Sequence, residues 1–167
     1  MTENASTRVF FGTHGDGIYT AELDTGNGAL TEIRRAAEVE RPGFITLHPT
    51  LPVLYAASRP EDKDADSTLA AFRIGPDGSL TLMNTQSSRG RGLCHIQTDP
   101  SGTVLMGAHY TGGSVVACPI LEDGSLSDRF SLFQHEGSGE HPKRQDAPHA
   151  HSIFPNPAGT YAYAPDL

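Results

Sequence analysis

The chain has 167 residues, 37% of them hydrophobic, with 18 glycines, 12 prolines and a formal net charge of −8. That length allows one domain that buries about two thirds of its surface on folding. The acidic balance speaks against a nucleic-acid binder, whose phosphate partners call for clustered Lys and Arg, and gives no reason to expect an anionic membrane surface as partner. The glycine and proline content predicts many turns joining short strands. Only two cysteines occur, Cys94 and Cys118, both inside strand-like runs, so they read as buried free thiols. The opening MTENASTRVFFGTH lacks a basic-then-apolar pattern, and no run approaches the ~20 apolar residues of a membrane span. The expectation is a cytoplasmic protein.

In chain order, two interleaved repeats appear. Gly26-Asn27-Gly28, Pro76-Asp77-Gly78 and Glu122-Asp123-Gly124 each follow a strand-like run (GIYTAEL, TLAAFRI, SVVACPI) and each precede a residue followed by leucine. Asn-Gly and Asp-Gly supply the positive φ that tight hairpin turns require. A second series, FITLHP, CHIQTDPSG and HSIFPNPAG, leads each time into another strand (VLYAAS, TVLMGAH, YAYAPDL). Each unit reads strand A, Pro turn, strand B, loop, strand C, Gly turn, strand D. Four antiparallel strands every ~50 residues is the pattern of a propeller blade.

The chain is therefore expected to be all-β, a β-propeller of four-stranded antiparallel blades. Residues 8–35 form an incomplete blade lacking strand A, 42–88 and 92–134 form full blades, and 148–167 form an incomplete blade holding strands A and B. Arg34–Glu38 reads as the end of a strand rather than a helical turn. About three blades fall short of the four to eight of a closed ring, so the sequence reads as the N-terminal part of a longer protein, with little or no activity alone. Open blade edges predict self-association. His48, Asp99 and Asn156 recur beside the turn prolines and are expected to cap those turns. Residues 59–67 read as a solvated loop, and 134–146 as a polar connector over a binding site.

The segments RPGFITLHP with LYAASRPE, GLCHIQTDPSGTVLMGAHYTGGSVVACPILEDGSL and PHAHSIFPNPAGTYAYAPDL resemble the lactonase family of seven-bladed propellers. The resemblance implies about the N-terminal half of a seven-bladed ring and hydrolysis of a sugar lactone ester, of the 6-phosphogluconolactone type, in carbohydrate metabolism. Its partners would be a small-molecule lactone or phosphorylated sugar acid. Carboxymuconate cyclases share the family, so a lactone-forming enzyme is the alternative, and a non-catalytic propeller scaffold is a third. Family members carry Asn-Glu at the end of the strand that here ends Ser58-Arg59-Pro60-Glu61, which puts any role carried over to that position in doubt.

Opening a lactone requires an activated water, a stabilised oxyanion and a grip on the sugar acid. His149 and His151 are two apart, so a strand would point both to one face, and strand A lines a propeller's channel. A neutral imidazole can take a proton from water, which makes either histidine the candidate catalytic base or orienting donor. His-x-His offers two ligands where a catalytic zinc has three; no metal and no cofactor is expected. Arg91, between two glycines before strand A, is the candidate for a phosphate or carboxylate, with Arg59 second. His95 and His109, near blade ends, are the further substrate-binding candidates. Gly112-Gly113 is a hairpin turn, lacking the helix and lysine of a phosphate loop.

Overall fold

The computed structural model describes residues 6–167. The reading of the N-terminal segment rests partly on residues 1–5, which lie outside the described residues. Among the described residues every regular element is a strand, and no helix is long and apolar enough to cross a membrane. Strands β1 (Ser6–Phe11), β2 (Gly17–Asp24) and β3 (Leu30–Glu38) form a three-stranded antiparallel sheet in that order. The second sheet holds β4 (Pro42–Leu47), β5 (Val53–Ser58), β6 (Thr68–Ile74) and β7 (Leu80–Ser87). The third holds β8 (Leu93–Thr98), β9 (Val104–His109), β10 (Ser114–Pro119) and β11 (Ser131–Gln134), again as neighbours in chain order. A short pair, β12 (Phe154–Pro155) with β13 (Ala162–Tyr163), follows.

The turns form for the reasons their sequences give. Gly28, Gly78 and Gly124 sit at φ of 79°, 80° and 90°, where a Cβ would be strained. Asp77 and Asp123 each accept from the backbone N–H of the serine two residues on, at 3.1 and 2.9 Å. At the same end of each blade the proline turns are capped by the residues that recur there. His48 Nδ1 accepts the N–H groups of Thr50 and Leu51 at 3.1 and 2.9 Å. Asp99 Oδ1 accepts those of Thr103 and Val104 at 2.7 and 2.8 Å, and Asn156 Oδ1 those of Thr160 and Tyr161 at 2.8 and 3.0 Å.

The inner strands depart from simple alternation. All six residues of β5 are buried, because each of its faces meets a different neighbour. Val53, Tyr55 and Ala57 pack with Leu93, Ile96 and Leu105 of the third sheet. Leu54 and Ala56, pointing the other way, pack with Ile18 and Phe10 of the first. A period-2 strand sandwiched between two blades thus feeds two separate cores. Met106 and Ala108 of β9 share a third core with Ala150 and Ile153. Polar bonds stitch the same interfaces: Tyr55 donates its hydroxyl to Gly124 O at 2.9 Å, and Asn84 pairs with both Leu126 N and O at 3.0 and 2.7 Å.

Candidate active site at the mouth of the inner strands

One end of the blades gathers the starts of β4 and β8, the ends of β5 and β9, and the segment before β12. The inner strands are bulged there: pairing slips between Pro42 and Phe44, and between Leu93 and His95, leaving Gly43 and Cys94 as the extra residues. In the last unit, Ala150 bridges Asp166 while Phe154 pairs with Tyr163, so one extra residue again lies on the inner side. Residues 149–153 are thus extended but outside regular strand, where an uninterrupted strand A was expected. His151 N–H donates to Pro165 O at 3.0 Å, and Leu167 N–H to His149 O at 3.3 Å. Bulges re-aim side chains at the rim of a sheet, and these three sit around one opening.

His149 and His151 come together on a third ring. Tyr110 stacks on His149 with centroids 4.7 Å apart and meets His151 edge-on at 5.5 Å. His149 Nδ1 lies 2.9 Å from Tyr110 O. A carbonyl only accepts, so Nδ1 carries the proton and Nε2 keeps its lone pair. Asp146 Oδ1 stands 3.8 Å from that Nε2. The His151 ring is exposed and has no hydrogen-bond partner among the described residues. Its carbonyl accepts the Cys94 thiol at 3.3 Å. Burial pushes that thiol's pKa up, against a smaller opposing pull from the Arg59 charge.

The other candidates separate. His95 is buried between the rings of Phe44 and Phe154, at 4.4 and 4.7 Å. Its Nδ1 accepts Ile153 N–H at 3.3 Å, so the proton of the neutral ring is on Nε2. Burial, and then the neighbouring His151 charge, holds its pKa below the ordinary value. His109 is fully buried, with Nδ1 3.0 Å from Ser114 Oγ and Nε2 2.9 Å from Ser88 Oγ. Both nitrogens are occupied and no surface faces a ligand; the ring knits the turn before β8 to the start of β10. Arg91 lies at the expected end, but its guanidinium is paired with Asp64 at 3.1 Å on the exposed lip.

Arg59 turns inward although the loop it opens was expected to be solvated throughout. Its Nη2 lies 3.0 Å from His14 Nδ1 and beside Gly43, where a Cβ would sit 3.1 Å away. It follows β5 as Tyr110 follows β9: Ser58 pairs with Pro42 and His109 with Leu93. Arg59 N–H donates to Arg41 O, and Tyr110 N–H to Gly92 O, at 3.4 and 2.9 Å. Arg41 and Gly92 thus hold the same place, with left-handed φ of 44° and 69°. For an arginine that conformation costs about 1 kcal/mol or more. Tyr110, Arg41 and His14 were not singled out by spacing. The repeat does carry the first of them, in the shared position after strand B.

Two clefts open nearby. One of about 550 Å³ is lined by His14, Asp16, Glu40, Arg41 and Glu61. Another, of about 810 Å³, lies between residues 133–139 and Asp166. Asp166 accepts from His135 and, at 2.6 Å, from His149 N–H. Burial acts to raise its pKa, but these bonds and the two histidine charges outweigh it and hold the carboxyl below its usual range.

Sheets of four antiparallel strands, stacked face to face with their first strands inward, define a β-propeller. Residues 5–167 match the family described as Lactonase, 7-bladed beta-propeller, and the chain belongs to that family. It is 35% identical over 153 residues to a 6-phosphogluconolactonase of Bacillus subtilis, covering 91% of this chain and 43% of the relative. Against a 6-phosphogluconolactonase of Formosa agariphila it is 29% identical over 154 residues, 92% of this chain and 43% of that one. The structure of the periplasmic gluconolactonase PpgL of Pseudomonas aeruginosa superposes with a TM-score of 0.88 at 25% identity, covering 98% of this chain and 48% of that chain. The chain spans about half the length of the curated relatives it matches.

Proposed function

We propose that this chain contributes to the hydrolysis of a sugar lactone ester of the 6-phosphogluconolactone class. The observation that carries the reading is the pair His149 and His151 on the Tyr110 ring, with His149 Nδ1 tied to a main-chain carbonyl. That bond leaves Nε2 free to take a proton from water. The water oxygen adds to the lactone carbonyl, the ring C–O bond breaks, and the proton passes to the departing alkoxide, giving a hydroxy acid. The His151 ring, unbonded and exposed, faces the same Tyr110 as a second proton carrier or donor to the oxyanion. His95, whose Nδ1 accepts Ile153 N–H and whose neutral ring therefore carries its proton on Nε2, stands beside it. The kinship with two proteins named 6-phosphogluconolactonase supports the substrate class.

The reading extends to a cytoplasmic setting, supported by two free thiols, and to self-association through exposed Phe154, Tyr161 and Tyr163. A concentration series in sedimentation velocity checks the second point. The main test is an NMR titration of the imidazole signals with 6-phosphogluconate, alongside lactone turnover in a pH-stat. His149 and His151 signals are expected to shift, and any turnover to drop on His149→Ala and His151→Ala. Turnover that persists in the double variant, with unshifted imidazoles, refutes the assignment.

A further inference from the structure

A cavity of about 200 Å³ lies between the loop after β5 and the turn before β8, lined by Arg41, Arg59, Lys63, Ser67 and Thr111 among others. Its volume is below the roughly 300 Å³ at which pockets begin to take whole drug-sized ligands, so it suits one functional group. Two arginines, Arg41 and Arg59, line it, and the Nε of each is buried without a hydrogen-bond partner among the described residues. Buried donors without partners are rare in folded proteins and call for an explanation. No carboxylate stands within ion-pair distance of either guanidinium among the described residues, whereas Arg91 on the same rim is already held by Asp64. The cavity also has acids on its wall, Glu61 and Asp62. Glu40 is engaged by the Glu61 N–H at 3.0 Å and does not answer the arginines.

The backbone adds a second observation. Arg41 sits at a φ of 44°, where the equivalent position in the next blade is Gly92 at 69°. A strained arginine in a glycine's place has no structural rationale, since glycine would adopt the turn without strain. Strain of this kind gathers at ligand clamps, where the side chain is needed despite the backbone.

We propose that Arg41 and Arg59 form an anion clamp that takes the phosphate group of the substrate. A tetrahedral oxyanion accepts from both arginine forks, satisfying the two orphaned Nε–H donors in a way that a neutral hydroxyl cannot. Arg59 is also the link to the mouth: it touches His14 and Gly43, and its charge is felt at Cys94, whose thiol donates to His151 O. The inference rests on the lactone-hydrolase reading for the identity of the ligand's other end; the clamp itself does not.

The test is binding of inorganic phosphate, 6-phosphogluconate and gluconate to the 167-residue chain, by calorimetry and by thermal melts at matched ionic strength in chloride. Phosphate and 6-phosphogluconate are expected to bind and raise Tm, and gluconate to bind at least about tenfold more weakly. Arg41→Gly keeps the backbone turn, so its Tm without ligand should be unchanged or higher, while its phosphate affinity falls about tenfold or more. Arg59→Gln should lose affinity similarly. Equal phosphate affinity in wild type and Arg41→Gly, an equal shift from chloride, or equal binding of gluconate overturns the clamp. Arginine-dependent phosphate binding in a chain whose lactone turnover ignores His149 and His151 would uphold the clamp and sink the histidine assignment, whereas arginine-dependent phosphate binding with no lactone turnover at all would uphold the clamp and sink the lactonase reading.

Discussion

Acidification should destabilise this fold well before its carboxylates titrate, and His109 is the main reason. Its ring is fully buried between Ser88 and Ser114 with Gly90 against it. Burial pushes its pKa down to about 4, outweighing a hydrogen bond to the Ser114 backbone and the Asp66 charge, which act the other way. The unfolded chain titrates near the ordinary ~6.5. Between those values the unfolded state binds a proton that the folded state refuses, so stability falls as pH drops through this window. It is fully present above the unfolded value, and the loss is complete below the folded one. The whole linkage is about 3 kcal/mol, of which about 2 kcal/mol falls between about pH 7 and pH 5. For a domain of this size that lowers Tm by about 4–8 °C. His95 shifts in the same direction and adds to the slope. The assay is urea unfolding at both pH values, for wild type and His109→Gln. The variant should be weaker at neutral pH, by about 1–3 kcal/mol for the hydrogen bonds it replaces poorly, yet much less sensitive to acid. An unchanged acid slope in His109→Gln would refute the reasoning.

Three further outcomes follow from the geometry. Burial raises the pKa of both thiols, Cys118 to about 11, so native protein at mildly alkaline pH should resist alkylation and react fully only when unfolded, as mass spectrometry would show. Gly113, at φ 61°, has no room for a Cβ, which would lie 2.4 Å from Pro148 O; Gly113→Ala should cost about 2–3 kcal/mol in a melt and displace the segment carrying His149. Tyr110 acts through its ring, so Tyr110→Ala should lower kcat of any lactone turnover about tenfold by freeing both imidazoles, while Tyr110→Phe should restore it.

The blades were legible because their signals are local. An Asn-Gly or Asp-Gly pair between two strand-like runs marks a turn with positive φ, as at Gly28, Gly78 and Gly124, and His48, Asp99 and Asn156 cap their turns through hydrogen bonds to residues two to five positions on. The candidate site was legible only where the same kind of rule applied: His149 and His151, two residues apart, both meet the Tyr110 ring. The partner was missed by a single residue. His109, the last residue of β9, points into the blade interface, and Tyr110 beside it meets the two histidines. One step along an extended chain exchanges inside for outside, and nothing in Ala-His-Tyr-Thr says where the strand ends. The arginines failed for a different reason. Arg91 looked free because the residue that holds it, Asp64, is 27 positions away in another loop. Arg41 looked ordinary because no sequence rule places an arginine at positive φ. The comparison that exposes it is internal, since the next blade fills the same position with Gly92. A departure from the repeat is therefore the better guide to chemistry in this fold than the residue type alone. His-Ala-His, Arg41 and Arg59 each break a pattern that the neighbouring blade keeps, and all of them border the same mouth.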